Sequence, residues 1–257
     1  MDFARFLWEL LLSNLHLVSA LLALYLVVAL AHREAARSGV PQPLLNRTES
    51  WVLIGVVVGA RLADVLPAWD LYARSPMDLL RVNLGLSFYG ALGGTAAVLA
   101  LGDRRWGLPF WTMADAYALF APLGIAAHRF TCLLYGDCGG KPASPPLGLP
   151  LPGFSQPRYP SDLYEGVLTL ALLGGLLLLS ARRARPGVIA GVFLVAYPLA
   201  RALVSITRLS PSTTIAEAAA PALVLAAIGA GVLALRLRGR DQRPAASDEA
   251  DALEDRE

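Results

Sequence analysis

The sequence predicts an all-α polytopic membrane protein of about seven transmembrane helices, and three observations lead there. Apolar runs of bilayer length recur along the chain. Of its 257 residues 56% are hydrophobic and only 16% charged, against about 25% charged in ordinary globular domains. Positive charge is dense in every second connection and sparse in those between. The charge deficit excludes a soluble core of this size. A formal net charge of +2 gives no basis for a nucleic-acid partner.

A bilayer core is crossed by roughly 20 apolar helical residues. Seven stretches meet that length, at about 6–31, 50–68, 85–101, 110–134, 162–181, 187–208 and 214–235. The first ends in "VALAHRE", which resembles a signal-peptidase site. A cleaved signal has a basic flank before an apolar region of about 7–15 residues. Here the apolar stretch is longer and Arg33 and Arg37 follow it, so it is read as a retained span. Residues 1–240 form the predicted transmembrane domain, and 241–257, "DQRPAASDEADALEDRE", a disordered acidic tail.

Alternating the spans collects Arg33, Arg37, Arg47, Arg104, Arg105, Arg182, Arg183, Arg185, Arg236, Arg238, Arg240 and Arg243 on one side. The other side receives Arg5, Arg74, Arg81, Lys141 and Arg158. Short cytoplasmic loops carry the excess of Lys and Arg. The amino terminus is therefore expected outside and the carboxyl terminus in the cytoplasm, with a small outward-facing loop region between helices four and five.

Ionisable groups inside bilayer segments are costly and mark candidate sites. The second span holds Arg61 and Asp64 one turn apart, and the fourth holds Asp115 near its inner end and Arg129 near its outer end. On the sixth, Tyr197, Arg201, Ser205 and Arg208 fall at i, i+4, i+8 and i+11, one polar stripe. Lipid cannot solvate such a stripe, so it must face protein or water. Pairing with acids such as Asp64, Asp115, Asp162, Glu165 or Glu217 is one account of these arginines. Receiving a lipid phosphate is the other, because guanidinium presents planar, always-charged, paired donors. Both stay open for Arg61; for Arg201 and Arg208, whose own helix carries no acid, the phosphate account is preferred.

The stretch "AAHRFTCLLYGDCGGKP" (126–142) combines His128, Arg129, Cys132 and Cys138 with three glycines. A structural zinc site takes four such ligands, and the set here is incomplete, so no metal is expected. The cysteines read first as packed free thiols, with an outward-facing disulfide as the alternative. Gly136, Gly139 and Gly140 offer a turn or phosphate nest against plain flexibility. Gly90 and Gly94 in "GLSFYGALGG" serve either tight helix packing or close backbone approach to a ligand. In "YPSDLYEG" (159–166), Ser161 is a candidate N-cap, with Asp162 and Glu165 in the first turn. No internal repeat of the kind common in transporters is present.

Taken in order, these motifs resemble the prolipoprotein diacylglyceryl transferases of bacterial inner membranes. "GARLADVL" resembles that family's Gly-Ala-Arg stretch, and "GLSFYGALGG" its Gly-Leu/Met-Ser-Phe-His-Gly-Gly segment. "DAYALFAPLGIAAHRFTCLLYG" resembles the helix that runs from Asp to the Gly-Arg-Ile-Gly-Asn signature. "YPSDLYE" resembles His-Pro-Thr-Gln-Leu-Tyr-Glu, and "YPLARALVSITR" the Tyr and two Arg of the penultimate helix. The resemblance runs from about Gly59 to Arg208.

It implies a multi-pass enzyme of the bacterial cytoplasmic membrane. Such an enzyme moves the diacylglyceryl group of phosphatidylglycerol to the lipobox cysteine thiol of a preprolipoprotein and releases glycerol phosphate. It implies no metal and no dissociable cofactor. Arg129, Arg201, Tyr197 and Tyr89 are the implied catalytic residues, and Arg129, Arg208, Arg61, Gly136 and Asp137 the implied phospholipid-binding set. Asp115, Glu165 and Ser87 are the implied supports. The chain departs from the pattern at Tyr89, where histidine is usual, at Cys132 for asparagine, at Asp137 and Ser205 for glutamates, and at Tyr159 for histidine. A phenol is a much poorer base than an imidazole at neutral pH, so the phosphate-binding half of the site is better retained than the proton-handling half. A phospholipid-binding relative without catalysis, or a transferase with another acceptor, is the competing expectation.

Overall fold

The computed structural model describes residues 15–80, 87–135, 139–182, 184–208 and 215–238. Among them run seven long helices: α1 (Leu15–Arg37), α2 (Gln42–Val65), α3 (Phe88–Trp106), α4 (Phe110–Tyr135), α5 (Ser161–Ala181), α6 (Val188–Arg208) and α7 (Ile215–Arg238). Short helical turns at Leu66–Ala68, Trp69–Tyr72 and Pro76–Leu80 join α2 to α3. The residues before Leu15, the acidic tail, Gly136, Asp137 and Cys138 lie outside the described residues.

Six of the seven are long and apolar enough to cross a membrane. The exception is α3, nineteen residues long, whose last turn carries Asp103, Arg104 and Arg105. On α5, Leu168, Leu170, Leu177 and Leu178 are exposed, as are Leu223, Val224, Ile228 and Leu235 on α7. Water would not tolerate apolar faces of this extent; lipid solvates them. The chain is a polytopic helical membrane protein.

Two ends differ from expectation. The first helix continues to Arg37, because "AHREAAR" consists largely of good helix formers. It stops at Gly39, whose φ of 88° few other residues adopt. The second begins at Gln42, eight residues before the apolar run at 50, with Pro at its first turn. That polar turn is amphipathic, burying Leu45, Thr48 and Val52, and its apolar content is too low to read as a span.

The fourth helix is central, touching α1, α3, α5 and α6. One core joins Val28, Ala31 and Ala35 of α1 to Leu45 and Val52 of α2, Leu99 of α3, and Met113 and Tyr117 of α4. The other joins Ala118 and Leu119 of α4 to Leu176 of α5 and to Ile189, Phe193 and Tyr197 of α6. Asp115 couples α4 to α6: its carboxylate accepts from the amides of Gly187 at 2.6 Å and Ala190 at 2.7 Å. This acid caps the amino terminus of α6, with Arg236 as its cationic neighbour, far along α4 from Arg129.

The glycine question resolves toward packing. Gly55 and Gly59 of α2 face Gly90 and Gly94 of α3, and a Cβ on Gly94 would overlap the carbonyl oxygen of Gly55. A Cβ on Gly90 would likewise overlap the carbonyl of Gly59. Small residues four apart let two backbones meet in this way. Gly94→Val is expected to push α2 from α3 and to cost on the order of 1–3 kcal/mol of stability or more. A lowered thermal transition of the detergent-solubilised variant checks this; an unchanged one would refute the close contact.

Candidate active site

Five helices bring their ends together at one face of the bundle, where α3, α5 and α7 start and α4 and α6 finish. Helix α5 supplies two carboxylates three residues apart, Asp162 and Glu165, which share a face. Helix α4 supplies Arg129, and α6 supplies Arg201 and Arg208, seven residues apart and hence about 10 Å along the same face.

Glu165 is the common acceptor. Its Oε1 lies 2.9 Å from Nη1 of Arg201 and 3.1 Å from Nη2 of Arg129, and its Oε2 lies 3.2 Å from Nη2 of Arg208. The hydroxyl of Tyr197 donates to the same Oε1 at 3.0 Å. Asp162 Oδ1 accepts from Nη1 of Arg129 at 3.3 Å and from Nη2 of Arg208. Both carboxylates are enclosed, with Asp162 at 0% and Glu165 at 2% exposure. Three guanidinium groups against two carboxylates leave one net positive charge.

The balance of donors and acceptors is also incomplete. Nε of Arg129, Nε of Arg208 and Oδ2 of Asp162 are buried without a hydrogen-bond partner. Each such group costs roughly 1–3 kcal/mol, and a ligand that satisfies them recovers that cost. Beside the cluster lies a cavity of about 260 Å³, lined by Tyr89, Glu165, Arg201, Ala202, Ser205, Arg208, Pro221 and Ala222.

Tyr89 reaches this cavity because Ser87 starts α3. The Ser87 amide donates to the carbonyl of Ala60 at 3.0 Å, and its hydroxyl oxygen accepts from the Gly90 amide at 3.5 Å. Phe88 lies against Tyr197 with ring centroids 4.8 Å apart, and Phe193 stacks on Tyr197 at 5.6 Å. Tyr197 is thus packed against two aromatic rings, 1% exposed, and aimed at Glu165. Ser205, although on the cavity wall, turns its hydroxyl back to the carbonyl of Ala202 at 2.6 Å.

Of the residues singled out from sequence, Arg129, Arg201, Arg208, Tyr197 and Glu165 meet in one network, with Tyr89 across the cavity. Arg61 belongs to another cluster. It holds Asp64 at 2.9 Å and donates to the carbonyls of Leu79 at 3.1 Å and Asp78 at 2.5 Å, with its guanidinium over the ring of Tyr72. That arrangement fastens the connection after α2 to the helix. Asp115 lies away from the network, at the start of α6.

Three expectations are corrected. Ser161 is not the N-cap of α5; that position is Pro160, and the Ser161 hydroxyl pairs with Thr207 Oγ1 at 2.7 Å. Gly140 does not leave its amide free for a phosphate, since it donates to the carbonyl of Tyr159 at 2.9 Å. The glycine serves close packing instead: a Cβ there would meet the Thr207 carbonyl, where the Lys141 amide also donates at 2.9 Å. Cys132 is not a free thiol but is disulfide-bonded. Asp162 is the residue whose weight the sequence understated. The available signal was its spacing from Glu165, which puts two acids on one face of an otherwise apolar helix.

A sequence profile of the prolipoprotein diacylglyceryl transferases matches residues 14–235, from α1 into α7. The chain belongs to the prolipoprotein diacylglyceryl transferase family. Among relatives carrying the name phosphatidylglycerol--prolipoprotein diacylglyceryl transferase, that of Solidesulfovibrio magneticus is 36% identical over 167 residues, 62% of this chain and 63% of the relative. That of Rhizobium leguminosarum bv. trifolii is 35% identical over 166 residues, 62% and 58% of the two chains. These alignments span less than two thirds of the relatives' length. A longer one, with the Bartonella bacilliformis transferase, is 31% identical over 206 residues and covers 75% of this chain and 72% of that one. The family profile encloses every member of the arginine–carboxylate network.

Proposed function

We propose that this family member transfers the diacylglyceryl group of phosphatidylglycerol to the lipobox cysteine thiol of a preprolipoprotein, in a bacterial cytoplasmic membrane. The observation that carries the reading is the net positive charge left by Arg129, Arg201 and Arg208 over Asp162 and Glu165, beside a cavity between helices. An apolar surround makes that unbalanced charge a receptor for an anion. At the end of a bundle in lipid, the abundant anion is a headgroup phosphate.

The reaction is a substitution at a glycerol carbon. The thiol sulfur forms a bond to that carbon, the carbon–oxygen bond to phosphate breaks, and glycerol phosphate leaves with the thiol proton. Arg129 and Arg208 hold the phosphate, and Arg201, on the cavity wall and the most exposed of the three, neutralises charge as the ester oxygen departs. Tyr197 and Glu165 fix the position of Arg201. Tyr89 orients one substrate by hydrogen bonding, and the surrounding guanidinium charge favours the thiolate.

The network end faces outward and the carboxyl terminus lies in the cytoplasm. Two observations support this orientation. Arg33, Arg37, Arg47, Arg104, Arg105, Arg182, Arg236 and Arg238 sit at the opposite ends of the helices. Cys132, one turn beyond Arg129, is disulfide-bonded, as an oxidising compartment permits. The partners are phosphatidylglycerol, preprolipoproteins and the surrounding membrane lipid.

Tyr89 on the cavity wall, where a stronger base would serve better, favours a second reading: a phospholipid-binding relative that does not turn over lipobox substrates. Complementation separates the two. Expression of this chain in a bacterium depleted of its own transferase is expected to restore lipoprotein modification. Failure of the well-expressed wild type, with phosphatidylglycerol still bound, would favour the second reading.

A further inference from the structure

Asp162 is the most enclosed ionisable group of the network, yet only half of its carboxylate is engaged. Oδ1 accepts from Arg129 and Arg208, while Oδ2 is buried and has no partner. The unspent donors beside it are Nε of Arg129 and Nε of Arg208. A carboxylate oxygen only accepts and a guanidinium only donates. The complement of this set is therefore a ligand with anionic acceptor oxygens and, next to them, a group that donates.

Two kinds of headgroup donor exist, an ammonium and a hydroxyl. An ammonium at Oδ2 would stand against the two guanidinium groups already on Oδ1, in a network that carries net positive charge without it. A zwitterionic headgroup also brings no net charge to offset that excess. A neutral hydroxyl has neither difficulty. Arg208 shares its Nη2 between Asp162 Oδ1 and Glu165 Oε2 and lines the cavity, so the Asp162 carboxylate is one guanidinium removed from the space a lipid headgroup would enter.

We propose that Asp162 selects the headgroup: its free Oδ2 accepts a hydrogen bond from a hydroxyl of the glycerol headgroup, while Arg129 and Arg208 hold the adjoining phosphate. This rests on the reading that the network receives phosphatidylglycerol, and it adds the residue that would distinguish that lipid from one of equal charge without the hydroxyl.

The test is equilibrium binding to the purified, detergent-solubilised chain. Phosphatidylglycerol is compared with phosphatidylpropanol of the same acyl chains, which keeps the charge and loses both hydroxyls. A hydrogen bond to a charged acceptor predicts that the wild type favours phosphatidylglycerol by about tenfold or more. In Asp162→Asn the amide oxygen stays with the arginines and the charged acceptor is gone, so the preference is expected to shrink to about threefold or less. Equal affinity of the wild type for the two lipids would overturn the proposal, whatever the variant does. So would an undiminished preference in Asp162→Asn. Loss of all lipid binding by a variant with a wild-type thermal transition would also overturn it, reducing Asp162 to an anchor for the arginines. Because the readout is binding, a wild type that discriminates between the lipids but forms no thioether would sink the transferase reading and leave this one standing.

Discussion

Arg129→Ala is expected to lower affinity for phosphatidylglycerol by about a hundredfold or more and to abolish transfer. The charge-assisted hydrogen bond that its free Nε offers the phosphate is lost, worth roughly 1.5–3 kcal/mol, together with the attraction of its charge. The same substitution strips a donor from both Asp162 and Glu165. Leaving buried carboxylates short of a partner destabilises by about 3–5 kcal/mol, so folding must be followed alongside. Arg129→Lys separates the effects. Lysine keeps the charge but not the planar fork that spans the two acids, so the variant is expected to fold better than Arg129→Ala while still losing most lipid affinity. Calorimetric binding, with a thermal transition measured on the same sample, checks both. Wild-type affinity in a folded Arg129→Lys variant would contradict the assignment of Arg129 to the phosphate.

Glu165→Ala has the second large effect, and it falls first on the fold. Four donors lose an acceptor at once: Arg129, Arg201, Arg208 and the Tyr197 hydroxyl. With a single carboxylate left among three guanidinium groups in a low-dielectric setting, a stability loss of about 3–5 kcal/mol is expected. Glu165→Gln preserves the shape and one acceptor oxygen, so it is expected to cost less stability than Glu165→Ala. Transfer still falls, because Arg201 is no longer held by charge. Parallel denaturation and activity series on the two variants check the order. A Glu165→Ala variant as stable as the wild type would show that the three arginines do not depend on this carboxylate.

The spans were legible because lipid imposes a length and a composition on any helix that crosses it. Their ends were less so: the polar first turn of α2 carries no apolar run, and the charged end of α3 falls below bilayer hydropathy. In the site, the stripe of Tyr197, Arg201 and Arg208 announced itself through helical spacing, and Arg129 through its depth in an apolar segment. What spacing could not convey was pairing across helices. Asp115 finds its partners 72 and 75 residues away in backbone amides. Arg61 finds two of its partners in backbone carbonyls of the following connection. Backbone groups are the same for every residue type, so such bonds leave no mark in composition. The sharing of Arg129 and Arg208 between Asp162 and Glu165 was hidden for a related reason. Three helices must already be packed before five charges can be matched.

The proposed transfer requires this network to hold phosphatidylglycerol for attack by a cysteine thiol. Its most direct test uses purified protein, phosphatidylglycerol and a lipobox peptide, followed by mass spectrometry of the peptide. The expected product is a diacylglyceryl thioether on the cysteine with one glycerol phosphate released per adduct, and no adduct when the cysteine is replaced by serine. Saturated binding of phosphatidylglycerol with an unmodified peptide would contradict it.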